Sequence, residues 1–352
     1  MNLAVVPPYP PMEAKLSRSL PRGSNLIFEP KWDGFRCIAF RDDDETYLQS
    51  KALRPLARYF PEVVAMLQAL APRRIVLDGE LVVPVEDKLD FDQLLQRIHP
   101  AESRVKRLAS EFPARYIVFD LLVAPSGESL VALPLEDRRR QLEAFFKTLE
   151  PTDGIALSPA TKERTVAAAW LEETNAAIDG VVAKRLDCRY LSGERDAMTK
   201  VKRVHTADCV IGGYRHAEAG HGIGSLLLGL YDADGTLHYV GFTSSLNAED
   251  RAHLEPRLAA LRAPSSFTGR SPGGPSRWSR GRSTDWIAVK PEIVIEVAYD
   301  HVTGARFRHG TKALRFRPDK APHQCTMDQL ERRYVIGGFV RGSSSVEPGR
   351  YA

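Results

Sequence analysis

The spacing of short apolar runs constrains this chain most, because it changes character near residue 204. Before that point, runs suited to strands at 26–28, 36–40, 75–83, 116–123 and 180–184 alternate with stretches of helical period at 61–70, 91–98, 134–149 and 165–177. After it, apolar runs at 208–214, 225–231, 237–242 and 292–299 are interrupted by one helical stretch, 247–261. Asp234-Gly235 marks a tight turn between the second and third of these runs. The first set of strands is too closely spaced for the crossovers of a doubly wound parallel sheet. An α+β domain with antiparallel sheets is predicted there. The second set predicts a small OB-fold β-barrel.

The 352 residues are ample for two such domains. The boundaries are read as 1–203 and 204–335, with a hinge near 203–206 and a flexible tail at 336–352. Residues 263–283 are rich in Pro, Gly and Ser, carry Arg270, Arg277, Arg280 and Arg282, and contain no acid. They read equally as a mobile basic loop of the second domain or as a plain linker.

Charge divides along the same line. The whole chain carries +4, but residues 1–200 sum to −2 and the remainder to +6. A basic second half suits a polyanionic partner, nucleic acid being the commonest, although a solvated basic surface would look the same. No run approaches the roughly 18 apolar residues of a membrane span. The N-terminus lacks the basic and apolar regions of a secretory signal. Cys37, Cys188, Cys209 and Cys325 are isolated, and no CxxC or HExxH occurs. This argues against a zinc site or a disulfide framework and places the chain in a reducing cytoplasm.

The strongest chemical signal is EPKWDGFR at 29–36, read as a loop following a strand. A lysine amine such as Lys31 can act as a covalent nucleophile when its surroundings lower its proton affinity. Downstream come Asp78-Gly79-Glu80, the apolar run YIVFDLL at 116–122, Asp179-Gly180-Val181-Val182, and Lys200-Val201-Lys202. On a strand, Lys200 and Lys202 face one side. Each element alone has a bland reading as turn acid, core aromatic or wet lysine face. Converged, they would stack a purine, hold a divalent metal and surround a triphosphate with positive charge. The glycine-rich stretch 220–225 lacks the context of a phosphate loop and reads as a tight turn.

In this order the elements resemble the covalent nucleotidyltransferase superfamily of ATP-dependent DNA ligases, RNA ligases and capping enzymes. RFRHGTKALRFRPDK at 306–320 is similar to the C-terminal motif of bacterial DNA ligases of the ligase C type and of the ligase module of ligase D. The resemblance implies an adenylation (nucleotidyltransferase) domain followed by an OB-fold domain. It implies a DNA ligase that uses ATP with Mg²⁺ or Mn²⁺ to seal nicked double-stranded DNA in repair or recombination. Lys31 would form Lys-AMP, Glu29 would read adenine, and Tyr116 would stack on it with Phe119 behind. Arg36 would contact ribose and later the nick, while Glu80 and Asp179 would hold metal or ribose. Lys200 and Lys202 would neutralise phosphate, Lys51 and Arg195 would touch the DNA, and Arg317, Asp319 and Lys320 would orient pyrophosphate. The implied protein is a monomer, without zinc or membrane, working on bacterial nucleoid DNA.

Three positions depart from the family pattern. Asp179 replaces the usual Glu and is one methylene shorter, which bears on metal geometry and on a preference for Mn²⁺. Lys51 follows Ser50 where the family has Arg, losing a bidentate phosphate contact. Met198 stands where Trp is usual. Two other readings share these residues: an RNA ligase or capping-type nucleotidyltransferase, and a non-catalytic nucleic-acid-binding clamp.

Overall fold

The computed structural model describes the chain except residues 87, 151, 173–177, 203–204, 218–221, 274–284 and 331–352. It divides into two compact units that part at residues 203 and 204.

The first unit is built on two sheets. A five-stranded sheet has the order Glu45–Ser50, Phe35–Asp42, Arg74–Val82, Arg115–Val123, Ile155–Leu157. A four-stranded sheet has the order Lys15–Ser17, Met198–Lys202, Ile178–Arg185, Leu26–Trp32. Strand Arg115–Val123 is buried along nearly its whole length, so its apolar run has no polar alternation. Helix Leu135–Lys147 packs on it, and the buried guanidinium of Arg138 reaches Asp120 at 2.8 and 2.9 Å. Helix Pro61–Ala69 starts with Pro at its first turn, where no N–H is needed. Helix Glu102–Glu111 was not foreseen, because its apolar stripe is only Val105, Leu108 and Ala109.

Neither sheet is purely antiparallel. Lys15–Ser17 runs parallel to Met198–Lys202, and Ile155–Leu157 runs parallel to Arg115–Val123. Both are three-residue edge strands reached through long connections, which is why hairpin spacing did not reveal them.

The second unit is a six-stranded sheet with the main order Leu237–Thr243, Ile223–Tyr231, His205–His216, Val294–Tyr299, Lys312–Phe316. Ile287–Ala288 pairs with His205–His216 off this path. The Thr311 amide, just before the last strand, donates to the Phe242 carbonyl at 2.9 Å and Thr311 bridges Thr243, so the two edges of the sheet meet at one point and the expected OB-fold barrel is only partly closed among the described residues. Helix Ala248–Ala260 is capped by the Asn247 side chain, which accepts from the Asp250 amide at 2.7 Å. The Asp234-Gly235 turn joins two paired strands as expected, with Gly235 at φ +76°.

The loop at 263–283 needs partial correction. Phe267 is buried in the core of the second unit, the Tyr239 amide donates to the Arg270 carbonyl at 2.7 Å, and Ala263 bonds Ala288. Residues 263–270 are therefore packed by an aromatic anchor. Residues 274–283, with Arg277, Arg280 and Arg282, lie outside the described residues. So do 203 and 204 of the expected hinge, the start of the 220–225 stretch and the tail 336–352. Residues 205 and 206 already belong to a strand.

Candidate active site

The strand Ile178–Arg185 pairs with Leu26–Trp32 on one side and Met198–Lys202 on the other. The register makes three rows across the sheet: Ile27–Lys184–Met198, Glu29–Val182–Lys200 and Lys31–Gly180–Lys202. Paired residues share a face, and the face repeats every second residue. One face therefore collects Glu29, Lys31, Lys184, Lys200 and Lys202. Lys31 lies within a strand rather than in the expected loop; the loop is only Asp33 and Gly34.

Simple alternation would turn Asp179 to the other face. A register shift between Ile178 and Gly180 makes it the extra residue of a bulge, and such an irregularity re-aims a side chain. Asp179 is buried and ion-paired to Lys31 and to Lys202, the latter at 3.1 Å. Gly180 sits at φ +147°, and a Cβ there would lie 2.1 Å from the Val201 carbonyl oxygen. The Asp-Gly pair is thus a backbone requirement as well as a chemical one.

The rows floor a cavity of about 240 Å³, whose lining includes Glu29, Lys31, Arg36, Glu80, Phe119, Val182, Lys184, Met198 and Lys200. Glu29 is buried and takes the Lys184 ammonium at 2.8 Å, while its other oxygen, Oε1, has no hydrogen-bond partner. The Arg139 guanidinium lies 3.6 Å from that oxygen. The facing Arg139 Nη1 is likewise without a hydrogen-bond partner, so this buried polar pair is left unsatisfied at a cost of about 1–3 kcal/mol. Burial, with the neighbouring Lys31, Lys51 and Lys202 ammonium groups, holds Lys200 below its ordinary pKa. Burial lifts Glu80 to about 7 against the opposing pull of Arg36 and Lys31.

Phe119 forms part of the wall, with the Arg36 guanidinium 4.4 Å and the Lys184 ammonium 4.5 Å from its ring centre. Arg36 is fixed by a bidentate pair with buried Asp78, 2.6 Å on each arm, and Asp78 also accepts from the Tyr190 hydroxyl at 2.7 Å. The expected stacking of Tyr116 is contradicted. Tyr116 is fully buried in the core on the opposite face, donating to the carbonyls of Cys37 at 3.0 Å and Leu77 at 2.9 Å. Its ring packs on Gly79, where a Cβ would come within 2.6 Å. Tyr116 and Val118 turn into that core, while Phe119, the extra residue at a register shift against Arg74–Val82, turns to the cavity.

Lys51 and Arg195 both reach Glu13, at 2.8 and 3.0 Å. In the second unit, Arg317 and Lys320 converge on Asp208, at 3.0 and 2.8 Å, while Arg317 also pairs with Asp319 at 2.9 Å. Sequence reasoning missed Glu13, Asp78, Lys184 and Asp208. Asp78 stood two residues before a chosen glutamate in Asp-Gly-Glu; the other three carry no local signal. Among the described residues no three His, Cys, Asp or Glu side chains form a metal cage, and all four cysteines are free. No helix among them is long and apolar enough to cross a membrane.

A family model described as "ATP dependent DNA ligase domain" matches residues 11–202, and one described as "ATP dependent DNA ligase C terminal region" matches 219–320. The chain is 42% identical over 347 residues to DNA ligase C2 of Mycolicibacterium smegmatis, covering 94% of this chain and 96% of that one. It is 42% identical over 352 residues to DNA ligase C of Mycobacterium tuberculosis, covering 96% and 97%. A solved structure from a study of Lig E DNA ligases shares the fold, with TM-score 0.54 and 16% identity over 87% of this chain and 99% of that one.

Proposed function

The chain belongs to the ATP-dependent DNA ligase family, with an adenylation domain and an OB-fold domain, and we propose that Lys31 is its nucleophile. It is a DNA ligase that consumes ATP and acts on nicked DNA. The observation that carries the residue assignment is the row Lys31–Gly180–Lys202 with Asp179 bulged into it. In our reading the Lys31 amine attacks the α-phosphorus of ATP. A P–N bond forms, the bond to the β-phosphate oxygen breaks, and pyrophosphate leaves. Before the attack the Lys31 ammonium gives one proton to Asp179, its ion-pair partner, and the second proton, released as the P–N bond forms, leaves to water. AMP then moves to a 5′-phosphate, and a 3′-hydroxyl displaces it. Positioning and charge neutralisation supply most of such a rate.

Glu29, in the cavity lining, suits the exocyclic amine of adenine, and Phe119 rather than Tyr116 forms the aromatic wall. Val182 and Met198 line the same cavity. Lys200 and Lys202 face the phosphates. Arg36 is held against Asp78 and lines the nucleotide cavity, so its first duty is to the nucleotide. Glu80 and Asp179 fit a hard cation such as Mg²⁺ or Mn²⁺ that takes one or two carboxylates and draws its other ligands from phosphate and water. When bound, that ion would neutralise phosphate charge. Arg317, Asp319 and Lys320 serve pyrophosphate in the same step, and Lys51 and Arg195 bind DNA phosphates. We place the protein in repair, as a cytoplasmic monomer working on nucleoid DNA. The relatives called multifunctional non-homologous end joining DNA repair protein LigD are 32% identical over 317 residues and support the repair role.

Intact mass spectrometry tests the nucleophile. The protein with ATP and Mg²⁺ should gain one AMP, and pyrophosphate should remove it. A Lys31→Ala protein that still gained AMP would end the assignment.

A further inference from the structure

We propose that Glu13 is a built-in competitor for DNA phosphate, holding the anion position between Lys51 and Arg195 until substrate displaces it. The inference rests on the reading of Lys51 and Arg195 as DNA contacts. It adds a regulating residue that the motifs do not contain.

A single carboxylate oxygen, Oε2, meets both cations, 2.8 Å from Lys51 and 3.0 Å from Arg195. The cations come from distant parts of the chain and are 56% and 62% exposed, against 23% for Glu13. An oxygen shared by a lysine and an arginine is the arrangement a phosphate oxygen would adopt. The Lys51 ammonium, followed by Arg195, holds the Glu13 carboxyl below its usual pKa, so it is ionised at neutral pH.

A purely structural role fits poorly. The segment is already anchored by its backbone: the Glu13 amide donates to the Glu194 carbonyl at 2.8 Å, and the Met12 amide to the Tyr190 hydroxyl at 3.0 Å. Exposed ion pairs contribute little to stability, so a polyanion can break these two cheaply. The surroundings are rich in cations, since Lys51 is among the ammonium groups that lower the Lys200 pKa. In that setting Glu13 cancels charge that DNA would otherwise meet.

The sign of one substitution separates the roles. A nicked duplex with a dideoxy 3′ end binds without being sealed, and fluorescence anisotropy follows its binding across a salt series. Glu13→Gln should bind this duplex about three- to fivefold tighter. Its plot of log affinity against log salt should steepen by about 0.9, the value of one additional phosphate contact. The Lys51→Ala Arg195→Ala protein should bind more weakly with a flatter slope, and Glu13→Gln should no longer tighten binding in that background. Weakening by the double variant, with Glu13→Gln unchanged or weaker, overturns the competitor role while leaving the DNA contacts standing. No effect of the double variant overturns the contacts and the competitor together.

Discussion

Replacing Tyr116 with Phe separates the core from the site. The Tyr116 hydroxyl shares its proton between two backbone carbonyls in a fully buried place. Deleting it removes one net hydrogen bond and leaves both carbonyls short of a donor, a loss of about 1–2 kcal/mol. For a unit of this size, where each kcal/mol shifts the melting temperature by roughly 2–4 °C, the drop should be about 2–8 °C. Self-adenylation below the melt should keep its ATP dependence. Phe119→Ala should do the reverse to function, because the wall residue is lost and its stacking on the base with it. At about 1–3 kcal/mol per stacked base, the ATP needed for half-maximal adenylation should rise from about fivefold to over a hundredfold. The assays are a thermal melt and an ATP titration of AMP incorporation by intact mass. The reasoning is refuted if Tyr116→Phe loses adenylation at an unchanged melting temperature, or if Phe119→Ala keeps the original ATP dependence.

Glu80 gives a pH dependence. Its folded pKa of about 7 lies above the ordinary value of 4.5, so the fold favours the protonated form. Its stabilising contribution is full below about pH 4.5 and is lost as pH rises through about 7. Melting curves across this window should decline in the ligand-free protein, and Glu80→Gln should remove that component. Asp208→Asn should slow adenylation about tenfold, the equivalent of one charged hydrogen bond, while sealing of pre-adenylated nicks stays unchanged; equal loss in both assays would count against Asp208 as a positioning residue for Arg317 and Lys320. Gly180→Ala must accept φ +147° and a contact with Val201, so it should lose at least about 2 kcal/mol in chemical denaturation.

The ordered motifs and their period were legible in the chain itself. Elements repeating at two or about 3.6 residues announce strands and helices locally, while Lys31, Glu80, Lys200 and Lys202 were singled out by the order of their motifs and the resemblance it carries. Tertiary structure alone decided the rest. The bulge that turns Asp179 toward Lys31 depends on which strand lies beside it. Lys184 meets Glu29, Asp208 meets Arg317 and Lys320, and Glu13 meets Lys51 and Arg195 only because sheet pairing and packing bring remote segments together. Local periodicity reports the faces of elements; charge partners across long separations follow from register and packing, which no short window contains.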